Sequence, residues 1–453
     1  MENKLKEKYG LFTAIAMVVG IVIGSGVFFK AEKVLTATGG DLPLGILAWG
    51  LGGAIMLICA YTFSILAGRH SGVGGIVDYA DATVGRGYAY IVGWFVTFVY
   101  FPAMTSVLAW VSARYVGVLF GWSPAGPEVM VLTMAFLIGS YALNTLSPII
   151  AGKFQITTTI IKLVPLALMA VIGTAVGLFN GMTVENFTTV VTEVEGGKGV
   201  ALFSALVASA FAYEGWIIAT SISAEIKNSK KNLPIALVVG SAIVVAAYIL
   251  YYVGLAGGVT NAELMESGEK GARIAFENLF GRIGGVGLFV LVIISCLGTL
   301  NGLMLAVTRC MYSLAVRDNG PRPKMMSEIS PNTNMPVNSS IIGLLICMLW
   351  FFFFYGAKLA PKAWFGVVAF DSSELPIITI YAVYIPIFIM MMIKEKDLHP
   401  VKRFVFPVLS IACCIFMVVA AIFSHGMGVL WYLAVFAVIM LLSIPFYKKS
   451  KIK

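Results

Sequence analysis

The chain alternates between long apolar runs and short polar connections. A helix rises about 1.5 Å per residue and needs about 20 apolar residues to cross the hydrocarbon core of a bilayer. Runs of that length predict twelve spans, near 11–35, 43–68, 88–120, 129–148, 154–178, 200–221, 235–257, 284–315, 338–355, 375–393, 404–424 and 428–447. Three connections predict structure of their own. Residues 70–86 are glycine-rich and amphipathic, as in a re-entrant or surface segment on the inner side. Residues 260–282 place Glu263, Glu266, Glu269, Lys270 and Arg273 at helical spacing, as in an outer surface helix. Residues 317–335, with Pro321, Pro323 and Pro331, read as an inner loop.

Two spans are interrupted. In the first, Gly24 and Gly26 flank Ser25 where the helix should be continuous. The sixth runs to Ala212, breaks around Tyr213, Glu214, Gly215 and Trp216, and then resumes. Glycine costs a helix about 1 kcal/mol relative to alanine. In lipid, freed backbone groups are tolerated only where protein, water or a ligand satisfies them. Broken spans at corresponding positions, five apart, point to an inverted-repeat transporter with its site between the repeats. The expected fold is therefore an all-α polytopic membrane protein. Repeat one covers 11–178 and repeat two 199–393, with two appended helices at 404–447, a short N-terminal segment 1–10 and a basic tail 448–453.

Composition fits this class: 12% of residues are charged, against about 25% in soluble domains. A net charge of +9 would suggest nucleic acid in a soluble protein. Placed on the spans, 20 of the 31 basic residues fall on the segments that share a side with both termini, as the positive-inside rule requires of cytoplasmic loops. Both termini are therefore expected in the cytoplasm, in a multi-pass protein of the cell (inner) membrane, with no nucleic-acid partner. The start, MENKLKEKYG, has no small-residue cleavage site and reads as no removable signal. All six cysteines (Cys59, Cys296, Cys310, Cys347, Cys413 and Cys414) lie in spans without metal-type spacing, so packing is their expected role. Only His70, His399 and His425 are present, far apart, and no nucleotide motif appears. A metal, haem or catalytic centre would need such groups clustered, so no cofactor, no metal and no enzyme activity are expected.

The breaks carry the chemistry. Past the first gap, a half-helix starting at Ser25 and Gly26 offers free N–H groups and a positive dipole end, suited to a carboxylate. Before the gap, the carbonyls of Ile21, Val22 and Ile23 lose their partners beside Gly24 and offer a negative end to an ammonium group; carbonyls near Phe211 and Ala212 add to it. Opposite dipole ends so close fit an α-amino acid. The competing reading is close helix packing through Gly20-x-x-x-Gly24. Lys162 lies about 12 Å deep in the fifth span, and a buried ionisable group in a membrane is by default functional. It serves either as a fixed cation in place of a sodium ion between the first and eighth spans, or as a proton carrier. Glu214, inside the second break, is open to three roles: contact with a cationic substrate, coupling, or hydrogen bonding to freed N–H groups. Arg114 and Arg309 read as snorkelling or pairing residues. Pro102 in the third span and Asn301 in the eighth are weaker signals, and Phe101, Tyr213, Trp216 and Asn301 are candidate gating or pocket-lining residues.

GSGVF at 24–28, FAYEGW at 211–216, AEIKNSKKNLP at 224–234, and Asn301-Gly302 followed by Arg309 together resemble the amino acid–polyamine–organocation superfamily, in its L-amino-acid transporter branch. The resemblance runs over essentially the whole chain. It implies the LeuT-type fold of five plus five inverted repeats, with broken helices 1 and 6, and a bacterial-type, sodium-independent amino acid exchanger. It also implies that Ser25 and Gly26 hold the substrate carboxylate, that backbone near Val22, Phe211 and Glu214 takes the amine, and that Lys162 occupies the place of the sodium site. Glu214 departs from the motif by being bulky and acidic, and Phe101 adds bulk beside Pro102. Animal relatives paired with a glycoprotein carry a Cys between spans three and four. Here residues 121–126 have none, so no disulfide-linked heavy subunit is expected.

The leading expectation is exchange of small neutral L-amino acids by alternating access. The alternatives are a proton-coupled symporter of amino acids or amines using Lys162 or Glu214, and an amino-acid-sensing receptor of the same fold.

Overall fold

A computed structural model describes residues 5–448; the basic tail beyond Lys448 and the first four residues lie outside the described residues. Among the described residues, eleven helices are long and apolar enough to cross a membrane, and one bent pair makes a twelfth span. The bent pair is α1 (Leu11–Val22) and α2 (Gly26–Ala37), set 44° apart. Next come α3 (Leu42–Arg69), the short α4 (Ile76–Thr83) and α5 (Arg86–Phe120). They are followed by α6 (Pro127–Leu146) and α7 (Pro148–Phe179). The sixth span is α8 (Gly197–Ala210) with the 3₁₀ segment α9 (Trp216–Glu225), and α10 (Ser229–Leu255) follows. The short helix α11 (Asn261–Ser267) leads into α12 (Gly271–Ala315), and the last four spans are α13 (Val337–Leu359), α14 (Leu375–Lys394), α15 (Val401–His425) and α16 (Gly428–Phe446).

Local chemistry explains the boundaries that matter for the site. Asp41 starts α3 by accepting a bond from the Leu44 N–H at 3.0 Å, with Pro43 in the first turn, where a missing N–H costs nothing. Gly281, at φ +72° and ψ −178°, divides α12 into an outer segment and the eighth span. In α5, Pro102 has no N–H for the Phe98 carbonyl one turn earlier. The indole N–H of Trp350, on α13, donates to that carbonyl instead at 2.7 Å. A π-helical turn over Val96–Tyr100 precedes the proline, and Pro102 thus marks a kink whose orphaned carbonyl has a partner.

The spans sort into two groups. α3 packs on α10 and α8, α1 on α10, and α2 on α8, which gathers spans one, two, six and seven into a bundle. α12 packs on α5 and α13, and α5 on α6, which gathers spans three, four, eight and nine into a scaffold. α7 lies against both α1 and α12, and α14 pairs with α15. The two broken spans belong to the bundle, and their breaks face the scaffold helices α5 and α12.

The face that carries both described termini is tied shut by short contacts. The segment before α1 pairs with the end of α9 through a parallel bridge between Tyr9 and Ile226. Lys8 and Tyr9 donate to the Glu225 carbonyl at 2.7 and 2.9 Å, and Lys227 donates to the Tyr9 carbonyl at 2.9 Å.

Candidate functional site

At the first break, α1 ends at Val22, Ile23 turns extended (φ −76°, ψ 92°), and α2 restarts at Gly26 with no side-chain cap from Ser25. The first-turn N–H groups of a helix have no intrahelical acceptor, so α2 presents uncapped donors at Ser25 and Gly26. At the second break, Phe211–Tyr213 forms one 3₁₀ turn, Glu214 is extended, and Gly215 takes φ +107°. A Cβ on Gly215 would sit 2.9 Å from Ile21 Cγ2, so both its backbone conformation and its closeness to α1 demand glycine. The sequence expects a second half-helix here; the structure winds it as a 3₁₀ segment.

The breaks meet. A Cβ on Gly26 would lie 3.7 Å from the Ala212 Cβ, in ordinary contact. Between the breaks and α5 lies a cavity of about 220 Å³. This is smaller than the roughly 300–1,000 Å³ of pockets for drug-sized ligands, and suits a solute of a few heavy atoms. Its wall includes Val22, Gly24, Ser25, Gly26, Phe211, Ala212 and Glu214, with Ile21, Gly215 and Thr299. Met104, Val107 and Leu108 of α5 supply an apolar side. The rim lies on the face opposite the termini, at Lys30, Ser373 and Glu374.

Lys162 is fully buried and does not line the cavity. Its Nζ donates to the carbonyls of Gly20 and Ile23, both at 2.6 Å, and to that of Ser295 at 2.9 Å, with Thr299 Oγ1 at 3.2 Å. Ser295 Oγ donates to the Ile23 and Gly24 carbonyls, and Thr299 Oγ1 to those of Gly20 and Ile23, at 2.9 to 3.1 Å. An ammonium thus replaces the hydrogen bonds lost at the end of α1 and joins it to α12. Gly298 leaves the room: a Cβ there would press on Thr158 and come within 3.4 Å of Nζ.

Ile23, expected to face the substrate, is absent from the cavity wall because its carbonyl is turned to Lys162, Ser295 and Thr299. The Val22 carbonyl accepts the Tyr248 hydroxyl at 3.0 Å, and Tyr248 also reaches the Ala212 carbonyl at 3.1 Å, which pins the two breaks together. The packing alternative is half right. Gly20 is pressed against α7, where a Cβ would lie 2.3 Å from Gln155 and Thr159, but Gly24 is loosely surrounded.

Glu214 is buried on the cavity wall. Tyr100, at the end of the π turn, donates to Oε1 at 2.5 Å, and Oε2 has no partner in hydrogen-bond geometry. The four residues expected to gate or line the pocket stand behind the wall. Tyr213 donates to the Trp49 carbonyl at 2.9 Å, and Trp216 packs on Phe63 and Tyr384. Phe101 is buried beside Tyr100. Asn301 joins a polar network with Asn144, Gln155 and the Ala151 carbonyl between α6, α7 and α12.

Both arginines set apart in the sequence are paired. Arg114 meets Glu269 at 2.7 Å, and the buried Arg309 holds Glu225, which also takes Lys8 at 3.1 Å. At the rim, Lys30 sits 3.4 Å from Glu374, His425 Nε2 lies 3.2 Å from the same carboxylate, and the Lys30 ammonium stands over the Phe211 ring. Sequence reasoning missed Ser295 and Thr299, although two hydroxyls one helical turn apart in an apolar span were a readable signal. It also missed Tyr248 and Tyr100, which nothing in the string separates from the other tyrosines.

The amino acid permease family model matches residues 9–444. The chain is 29% identical to the serine/threonine exchanger SteT of Bacillus subtilis, over 94% of each chain. It is 27% identical to the mouse b(0,+)-type amino acid transporter 1, over 93% of this chain and 84% of that one. It is 26% identical to the human cystine/glutamate transporter, over 77% and 68% respectively. With a cavity between two broken spans and a family match over nearly its whole length, the chain belongs to the amino acid permease family of membrane transporters.

Proposed function

We propose that the protein exchanges small neutral L-amino acids across the cytoplasmic membrane, without sodium, by alternating access. The observation that carries this reading is the Lys162 ammonium at the joint of α1 and α12, held by three backbone carbonyls with no acidic partner among the described residues. A fixed cation at that joint does what a bound sodium ion would do, so the break stays assembled with no ion to carry. The substrate carboxylate takes the uncapped N–H groups at Ser25 and Gly26, and the amine turns to the carbonyl side of the cavity near Ile21 and Ala212. The modest cavity volume and the serine/threonine exchanger among the relatives support a small amino acid. In this reading residues 11–178 and 199–393 are the inverted halves, both termini are cytoplasmic, and no heavy subunit is disulfide-linked, because residues 121–126 contain no cysteine.

Proteoliposomes loaded with unlabelled serine test it. Uptake of labelled serine should need internal amino acid and be equal in sodium and choline media. Lys162→Ala should abolish uptake while the protein remains in the membrane. Uptake into empty vesicles driven by a pH gradient would overturn the exchange reading in favour of a proton-coupled symporter. The buried Oε2 of Glu214, without a hydrogen-bond partner, is the observation that favours that second reading, or a cationic substrate. Glu214→Gln would then remove the pH drive or the cationic substrate.

A further inference from the structure

Away from the central cavity, an apolar groove of about 550 Å³ runs between α5, α13 and α16. Its wall includes Trp94 and Phe98 of α5, Leu349 and Trp350 of α13, and Leu442 and Phe446 of α16. The two indoles show only carbon to it. Trp94 Nε1 donates to the Ile439 carbonyl at 2.9 Å, and Trp350 Nε1 to that of Phe98 at 2.7 Å. Phe98 and Phe446 stack on either side of Trp94, at 4.1 and 5.7 Å between ring centroids, which stiffens the floor. Leu349 and Leu442 remain 68% and 62% exposed, so the groove opens sideways to the lipid.

Beside the groove, toward the terminal face, lies a polar cavity of about 380 Å³, bordered by Arg86, Arg317, Lys448, Asp81 and Asp318. Their borders adjoin. Tyr90 and Trp94 stand one helical turn apart on α5, Phe446 and Tyr447 are neighbours, and Asn319 and Pro321 lie on one loop. Arg317 is committed to Asp78, and Lys448 reaches Asp318 only at 3.5 Å with both side chains more than half exposed. Arg86 is exposed and forms no ion pair among the described residues. Arg322 and Lys324 stand on the adjoining loop, and Lys449, Lys451 and Lys453 follow in the sequence with no acid among them. A dry groove that lies beside a cavity bordered by three basic and two acidic side chains, with Arg86 left without an ion pair among the described residues, has the two ends of one kind of molecule. Basic pockets between spans at such a surface bind anionic lipid headgroups, through charge-assisted bonds that phosphate and arginine form well.

We propose that this face holds one anionic diacyl phospholipid, an acyl chain in the groove and its phosphate at Arg86 and Lys448. The full-length protein, purified in mild detergent and delipidated, tests this by native mass spectrometry with dioleoyl phosphatidylglycerol or dioleoyl phosphatidylethanolamine. One phosphatidylglycerol should be retained in preference. Retention should fall roughly fivefold for each charge removed in Arg86→Gln and Lys448→Gln. Filling the groove with Leu349→Trp should displace the lipid with both charges intact. Equal retention of the two lipids, unchanged retention in the double charge variant, or a lipid-free dimer joined through this face would each overturn the proposal. The lipid comparison on the unmutated protein decides it even if a variant fails to fold.

Discussion

At the scale of single residues, the site depends on what two positions lack. Gly26 has room for a methyl group but borders the cavity, so the size of a substitution and not its presence should decide the outcome. Gly26→Ala is expected to keep its membrane level and lose less than tenfold in substrate affinity; Gly26→Leu should keep the level and bind no amino acid. Binding measured by scintillation proximity on the purified variants checks this, and retained binding in Gly26→Leu would remove the first break from the site. Gly215 is different, because φ +107° and a Cβ 2.9 Å from Ile21 make even alanine strained. The glycines and Lys162 were legible in the sequence, since each is costly in a membrane helix without a function. Which carbonyl Lys162 takes was not legible: Ile23 was expected to face the substrate, and only the turn at φ −76°, ψ 92° shows it facing the lysine.

At the scale of elements, the proline kink in α5 positions the site through a distant partner. The Phe98 carbonyl, orphaned by Pro102, is satisfied across the scaffold by Trp350, and two residues along Tyr100 is aimed at Glu214. Trp350→Phe keeps an aromatic ring and removes the donor, which leaves a half-buried carbonyl unpaired at a cost of about 1 kcal/mol. The expected result is a lower Tm in detergent, largely restored by combining it with Pro102→Ala, which supplies an N–H from the helix itself. An additive pair of effects would show that the indole acts by packing alone. The number and order of spans were readable because a bilayer sets helix length by one dimension. The 3₁₀ winding of α9 was not readable, since the apolar run from Trp216 onward suits either helix and packing chose between them.

At the scale of the whole molecule, the two faces are held by different means. The terminal face combines backbone pairing at Tyr9 and Ile226 with the buried Arg309–Glu225 pair, whereas the opposite mouth relies on side chains, Lys30, Glu374 and His425. Burial works to raise the Glu374 carboxyl, but Lys30 and His425 outweigh it and hold it down to about 2. A depressed carboxyl lends its stabilisation fully above its ordinary value and loses it only as pH falls toward the folded one. The carboxyl itself therefore stays ionised near neutral pH, and its own protonation removes the contribution only between about 4.5 and about 2. Glu374→Gln is expected to raise the KM for substrate supplied at the mouth and leave the pH profile between 6 and 8 unchanged, as measured by uptake at graded pH. A change in that profile would assign proton sensing to the mouth.

The string of residues by itself determined the twelve spans, the two breaks, the sidedness of charge and the buried lysine, because each follows from the energetics of placing a helix in lipid. Tertiary structure alone decided that Tyr248 binds both breaks, that Phe101, Tyr213, Trp216 and Asn301 stand behind the wall, and that Tyr100 engages Glu214. Such pairings join residues 36 to 226 positions apart. A bilayer constrains the length of a helix and the depth of a charge, but it is indifferent to which face of one helix meets another, and only packing settles that.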